Sequence, residues 1–287
     1  MSTRTCVFPR AMLFAACCAA FPVLADATPT ADSGQSTLTA VDLFMREQAV
    51  VLKPKQVVLE LNALRSVTYS GPEPSAASDG VRAEQSLLSV GVGAQVGITN
   101  DFSVYANLPL ERTIEAAGYT GAGKRTARTE LGSVTLGFQK TLIKESAELP
   151  LVSLNAHGQL ATKHDGRNGV GAMLNISRSI DPAILFGSLA YNHLFEGGAG
   201  DASARAMSIF GVTGGVALAV NDKVSVSSSL AASYSPDGFI GRERYRAQLG
   251  LTYAVSKSAW VEASAGWGLN GPGSDAVVGL TAGFQFQ

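Results

Sequence analysis

Beyond residue 18 the chain has no cysteine, because Cys6, Cys17 and Cys18 are its only three. Once an N-terminal leader is removed, no disulfide, thiolate nucleophile or thiolate-held metal can form. Histidine is nearly as scarce, with only His157, His164 and His193. No basic excess is present either, since 22 Lys and Arg stand against 23 Asp and Glu. A nucleic-acid partner is therefore not expected. Past the N-terminus no apolar run reaches the roughly 20 residues that a membrane-spanning helix needs. Yet 46% of the 287 residues are hydrophobic, only 16% are charged and the mean hydropathy is +0.17. With 31 glycines the chain is also too glycine-rich for a helical bundle. Apolar overall but without apolar runs, it reads as a membrane protein that crosses with strands.

Residues 1–25 read as a secretory signal peptide. Arg4 and Arg10 are followed by an uncharged stretch from Ala11 to Ala25, with Val23 and Ala25 at the spacing that a signal peptidase reads. Residues 26–55 read as a periplasmic leader. In it Leu38, Val41, Phe44 and Met45 recur at helical spacing, Ser36 or Thr37 can cap, and Pro54 stops the run. The spacing predicts an amphipathic helix over about 38–50.

From residue 56 the period becomes two. Val57, Leu59, Leu61 and Ala63 alternate with Val58, Glu60, Asn62 and Leu64, and the same reading recurs eleven more times through Val278, Leu280, Ala282, Phe284 and Phe286. The intervening positions are mostly Ser, Gly, Asn, Gln and Thr. A barrel in lipid explains an apolar exterior with a polar interior, and twelve is an even number, as in single-chain bacterial outer-membrane barrels. The predicted fold is all-β: a twelve-stranded antiparallel transmembrane β-barrel over 56–287, preceded by a short N-terminal helix. Tight turns at 99–101, 221–223 and 256–258 alternate with long polar loops at 71–85, 113–129 and 196–204. That pattern puts the turns in the periplasm, the loops outside and the protein in the bacterial outer membrane. Aromatics near strand ends predict two interfacial girdles: Phe102, Phe138, Tyr253, Trp260, Phe284 and Phe286 at the turns, and Tyr69, Phe195, Phe210, Tyr234, Phe239, Tyr245 and Trp267 at the loops.

Three stretches carry a family resemblance. They are Leu131 to Phe138, Val220 to Val226, and the ending from Gly268 to Asp275 with Gly279-Leu280-Thr281 and Phe284-Gln285-Phe286. Over about 56–287 the chain resembles the outer-membrane proteins of a family named for the meta-pathway of phenol degradation. The resemblance implies the barrel more than any cargo. The lead-in Asp42 to Lys55, before Val57 to Glu60, is similar to the corresponding stretch of Fap-type functional-amyloid secretion channels. That resemblance implies a twelve-stranded barrel whose preceding helix acts as a plug. The long coiled coil that accompanies trimerisation in those channels is absent from this sequence.

No catalytic residue is expected. His164-Asp165-Gly166-Arg167-Asn168-Gly169 is similar to the histidine loop of outer-membrane phospholipases, but Gly166 and Arg167 stand where a serine nucleophile would be needed. The dispersed histidines predict no metal site, and no cofactor is expected. Passage through the lumen is the function that the pattern favours, of a small solute, hydrophobic or aromatic, or of a secreted polypeptide. Parity assigns Glu60, Asn62, Asn107, Glu111, His157, Gln159, Arg244, Arg246, Gln248 and Glu262 to the pore wall, with Glu60 or Glu262 expected to pair with Arg244 or Arg246. The helix carrying Leu38, Val41, Phe44 and Met45 would be the plug. The alternative is a non-conducting structural or adhesion barrel that binds through its extracellular loops, where Lys124, Arg125 and Arg128 lie. Expected partners are outer-membrane lipids and the barrel-insertion machinery, which reads the last strand. A homo-oligomer is compatible with the sequence.

Overall fold

The computed structural model describes residues 51–70, 83–117, 124–162, 167–196, 206–236, 243–270 and 276–286. The signal peptide, the helix at 38–50 with Leu38, Val41, Phe44 and Met45, His164 and Phe239 lie outside the described residues. The chain forms thirteen strand segments: β1 (Val57–Ser70), β2 (Ala83–Gly97), β3 (Phe102–Ala117), β4 (Lys124–Leu131), β5 (Val134–Ile143), β6 (Leu151–Leu160), β7 (Gly169–Ile180), β8 (Ala183–Leu194), β9 (Met207–Asn221), β10 (Val224–Tyr234), β11 (Glu243–Ser256), β12 (Ala259–Gly268) and β13 (Ala276–Phe286). All pairings are antiparallel and join neighbours in sequence, except that β3 pairs with both β4 and β5, and β1 closes on β13 with Val57 opposite Phe286. Segments β4 and β5 run end to end along β3, one on its loop-side half and the other on its turn-side half. Together they make one wall position, so the result is a closed barrel of twelve strands.

The break between β4 and β5 has a local cause. Pro109 of β3 has no N–H to give this neighbour, although its carbonyl still accepts from the Gly132 amide at 2.7 Å. With one rung lost, Gly132 and Ser133 leave the ladder. The Thr162 hydroxyl donates to the freed carbonyls of Leu131 and Gly132 at 2.7 and 2.9 Å.

Period-two alternation sorts the wall into two faces. On the outside Leu61, Val92, Leu110, Leu136, Leu189, Val212, Leu251 and Leu280 are all about half exposed, which in water would be an untenable apolar surface. Arg65 and Arg112 bound that band toward the loops, and Lys140 and Arg178 bound it toward the turns. On the inner face stand Ser, Asn, Gln, Thr and Gly. The outer wall is thus solvated by lipid and the inner wall is polar, as a transmembrane barrel requires.

Two expectations are corrected. The stretch 113–129 is not one long loop, because β3 continues to Ala117 and β4 begins at Lys124, which also puts Lys124, Arg125 and Arg128 on a strand. This hairpin extends past the apolar band, so neither of its faces needs apolar residues and the alternation that marks the other strands is missing. Trp260 does not belong to an outer girdle: it shares the face of Glu262, points inward and is only 3% exposed. Phe138, Tyr253, Phe284 and Phe286 do lie outside at the turn end, as Phe210, Tyr234, Tyr245 and Trp267 do toward the loops.

The tight turn between β2 and β3 is held by side chains. The Thr99 hydroxyl donates to Asp101 at 2.6 Å. That bond, and secondarily the ammonium groups of Lys140 and Lys144, keep the Asp101 carboxyl below the usual carboxylate range.

Candidate functional site: the barrel lumen

Register fixes which residues meet inside. Glu60 stands opposite Gly93 and Gly283, Asn62 opposite Gly91 and Thr281, and Asn107 opposite Gly93 and Thr135. Glu111 faces Ser89, His157 faces Gly137 and Gly171, and Gln159 faces Thr135 and Gly169. Arg244, Arg246 and Gln248 face Ser233, Ala231 and Ser229, and Glu262 faces Thr252 and Thr281. All ten side chains therefore stand on the inner face.

The inner wall is built by laying long side chains flat over glycines of the next strand. The ring of Tyr105 crosses Gly137 and its hydroxyl donates to Asn155 Oδ1 at 2.7 Å, one strand further on. His157 crosses Gly171, Phe186 crosses Gly215, and Trp260 crosses Gly283 in the same manner. An inward glycine beside each of these four side chains lets it lie along the wall. The sequence signal was present, in glycines spaced two apart on the polar face, but it names no partner until the register is known.

Access to the lumen is graded along its axis. Toward the loops Leu64, Arg246 and Gln248 are exposed, among buried inward residues such as Met207 and Ser235. Toward the turns every wall position carries a buried inward residue, from Val58, Gly97, Ser103, Gln139, Ser153 and Asn175 to Ile184, Ala217, Ser225, Thr252, Trp260 and Gly283. Gln95 Nε2 donates to both Ser103 and Gln139 at 2.8 Å. By contrast, Ser153 Oγ, Asn175 Nδ2 and Ser225 Oγ find no hydrogen-bond partner among the described residues. Such buried polar atoms carry a cost unless water or another group reaches them.

The lead-in joins this constriction. Leu52 is 3% exposed and packs with Val58, Ala254 and Trp260. The chain then turns at Pro54 and Lys55, the latter in the left-handed region at φ 68°. There the Lys55 amide donates to the Gly97 carbonyl at 3.0 Å and the Gly97 amide to the Gln56 carbonyl at 2.9 Å. The lead-in is thereby fastened to the inner rim at the turn end.

The expected Glu–Arg pairing inside the wall does not form. Glu60 and Glu262 lie in the turn-side half within electrostatic reach of each other, whereas Arg246 faces Gly268 on β12. Six residues separate Gly268 from Glu262 along that strand, roughly 20 Å. The lumen thus carries Glu60 and Glu262 low, and Arg244 and Arg246 high together with Glu111 and Glu130.

No arrangement for nucleophilic chemistry stands out. His193 Nδ1 lies 3.0 Å from Ser208 Oγ, but the two are directly opposed on the outer face, and among the described residues no carboxylate hydrogen-bonds His193 to orient it. Among the described residues no three His, Asp or Glu side chains group to hold a metal.

The fold is that of an outer-membrane β-barrel. An outer membrane channel from Pseudomonas putida F1 aligns with 83% of this chain and 98% of its own length at a TM-score of 0.64 and 11% identity. The translocator domain of the autotransporter NalP from Neisseria meningitidis aligns with 87% of this chain and 99% of its own length, at a TM-score of 0.51 and 12% identity. At these identities the shared property is the barrel itself. No family model matches the chain.

Proposed function

We propose that this protein is an outer-membrane channel that passes a small solute through its lumen, with the N-terminal lead-in as a plug at the turn end. The observation that carries the reading is the enclosed inner wall with its ring of buried inward residues at the turn end, where Leu52 of the lead-in is seated against Val58, Ala254 and Trp260. Glu60, Asn62, Asn107, Glu111, His157, Gln159, Arg244, Arg246, Gln248 and Glu262 line the path. A polar lumen with fixed charges selects by size and by charge. The channel fold shared with the Pseudomonas putida protein supports passage through the lumen, and the resemblance to the phenol meta-pathway family makes a small hydrophobic or aromatic solute the cargo to try first.

The experiment is planar-bilayer conductance of the mature chain with and without residues 26–52. Larger or more frequent current steps after deletion are expected. Silence from both forms, each folded by its heat-modifiable gel mobility, would overturn the channel and favour a barrel that acts through its extracellular loops.

A further inference from the structure

In the loop-side half of the lumen a cavity of about 360 Å³ is bordered by β9, β10 and β11 and by the end of β12. Its size falls in the range that holds a small molecule. One side of it is apolar, with Met207 only 8% exposed and Ile209 beside it. Opposite are Arg244 and Arg246, neighbours on the inner face of β11. The stem of Arg246 crosses Gly266, so the absent side chain there leaves the guanidinium room to reach into the lumen. The nearest carboxylate on the same strand, Glu243, is on the outer face, where it accepts from the Tyr245 hydroxyl at 3.3 Å. A further observation points to a ligand. Ser235 lines the cavity, is 7% exposed, and its hydroxyl has no hydrogen-bond partner among the described residues.

We infer that this cavity binds a small organic anion, an apolar body bearing one carboxylate. The Arg246 guanidinium takes the carboxylate, for which its planar donor geometry is suited. Met207 and Ile209 cover the apolar body, and the Ser235 hydroxyl gains a partner. Neither a sugar nor a bare inorganic ion would use both halves of such a site. The inference rests on the channel reading for its biological role, because a lumen site is where a passing solute would pause.

The test is equilibrium dialysis of labelled benzoate against the folded full chain in detergent, with the isosteric neutral amide, benzamide, as its control. Saturable benzoate binding is expected, with benzamide at least about tenfold weaker, the difference that a charge-assisted contact makes. Arg246→Gln is expected to weaken benzoate about tenfold and Arg246→Lys to restore part of that loss. Ser235→Ala is expected to weaken it severalfold. Equal binding of benzoate and benzamide, or benzoate binding unchanged in Arg246→Gln, overturns the site. If Arg246→Gln fails the gel-mobility test of folding, Arg246→Met takes its place with the same expectation. Benzoate binding by a barrel silent in bilayers would remove the channel and leave the site, whereas conductance without benzoate binding would do the reverse.

Discussion

A single methyl group distinguishes the two kinds of glycine in this wall. At Gly283 an added Cβ would run into the indole of Trp260, itself packed against Leu52, Val58 and Ala254. The ring cannot move without opening that cluster. At Gly158, on the outer face of β6, an added Cβ meets nothing within 4 Å. Gly283→Ala is therefore expected to lower unfolding stability by about 1–3 kcal/mol, the cost of overpacking. Gly158→Ala should stay within about 0.5 kcal/mol of the parent. Denaturant unfolding of the two variants in one detergent compares them directly, and equal losses would show that the wall yields where Trp260 crosses it.

At the scale of elements, the lead-in and the strands were unequally legible. Period two could be read for every wall strand because lipid demands apolar residues on one face, while the other is mostly polar or small with a few large residues such as Phe186 and Trp260 laid along the wall. It failed where neither demand applies: the β3–β4 hairpin extends past the apolar band, so its Thr, Arg and Glu residues looked like loop. Pro109 was visible in the sequence, but its consequence, the parting of β4 from β5, depends on which neighbour its missing N–H would have served. Parity sufficed to place Glu60 and Arg244 on one face, yet pairing them needed their heights along the barrel, which only the register supplies. Leu52 was outside the periodic pattern and its burial could not be read at all. Its role is open to test through the two tryptophans, Trp260 beside it and Trp267 on the lipid face. Leu52→Asp would place an unpaired carboxylate in an apolar cluster, so the lead-in should detach. The expected readout is a red-shifted, more readily quenched Trp260 emission together with more frequent openings, and an unchanged spectrum would mean that the lead-in stays seated.

Across the whole molecule, charge is unevenly placed along the barrel. The turn-side half carries Glu60 and Glu262 close together, while Arg244 and Arg246 occupy the loop-side half, where Glu111 and Glu130 also face inward. Charge placed unevenly along the axis makes current unequal in the two directions, and the turn-side level bearing Glu60 and Glu262 favours cations. An organic anion held at Arg246 would meet that repulsion on its way toward the periplasm, so the same two carboxylates that select small cations would retard the bound solute. Glu60→Gln with Glu262→Gln separates these effects. The reversal potential in a salt gradient should move toward anions, by less at 1 M salt, where the screening length is about 3 Å. Rectification should diminish, and benzoate flux into liposomes should rise while benzamide flux stays the same. A reversal potential that does not move would mean that permeating ions do not pass the Glu60–Glu262 level, and the turn-side constriction could then no longer be regarded as part of the conducting path.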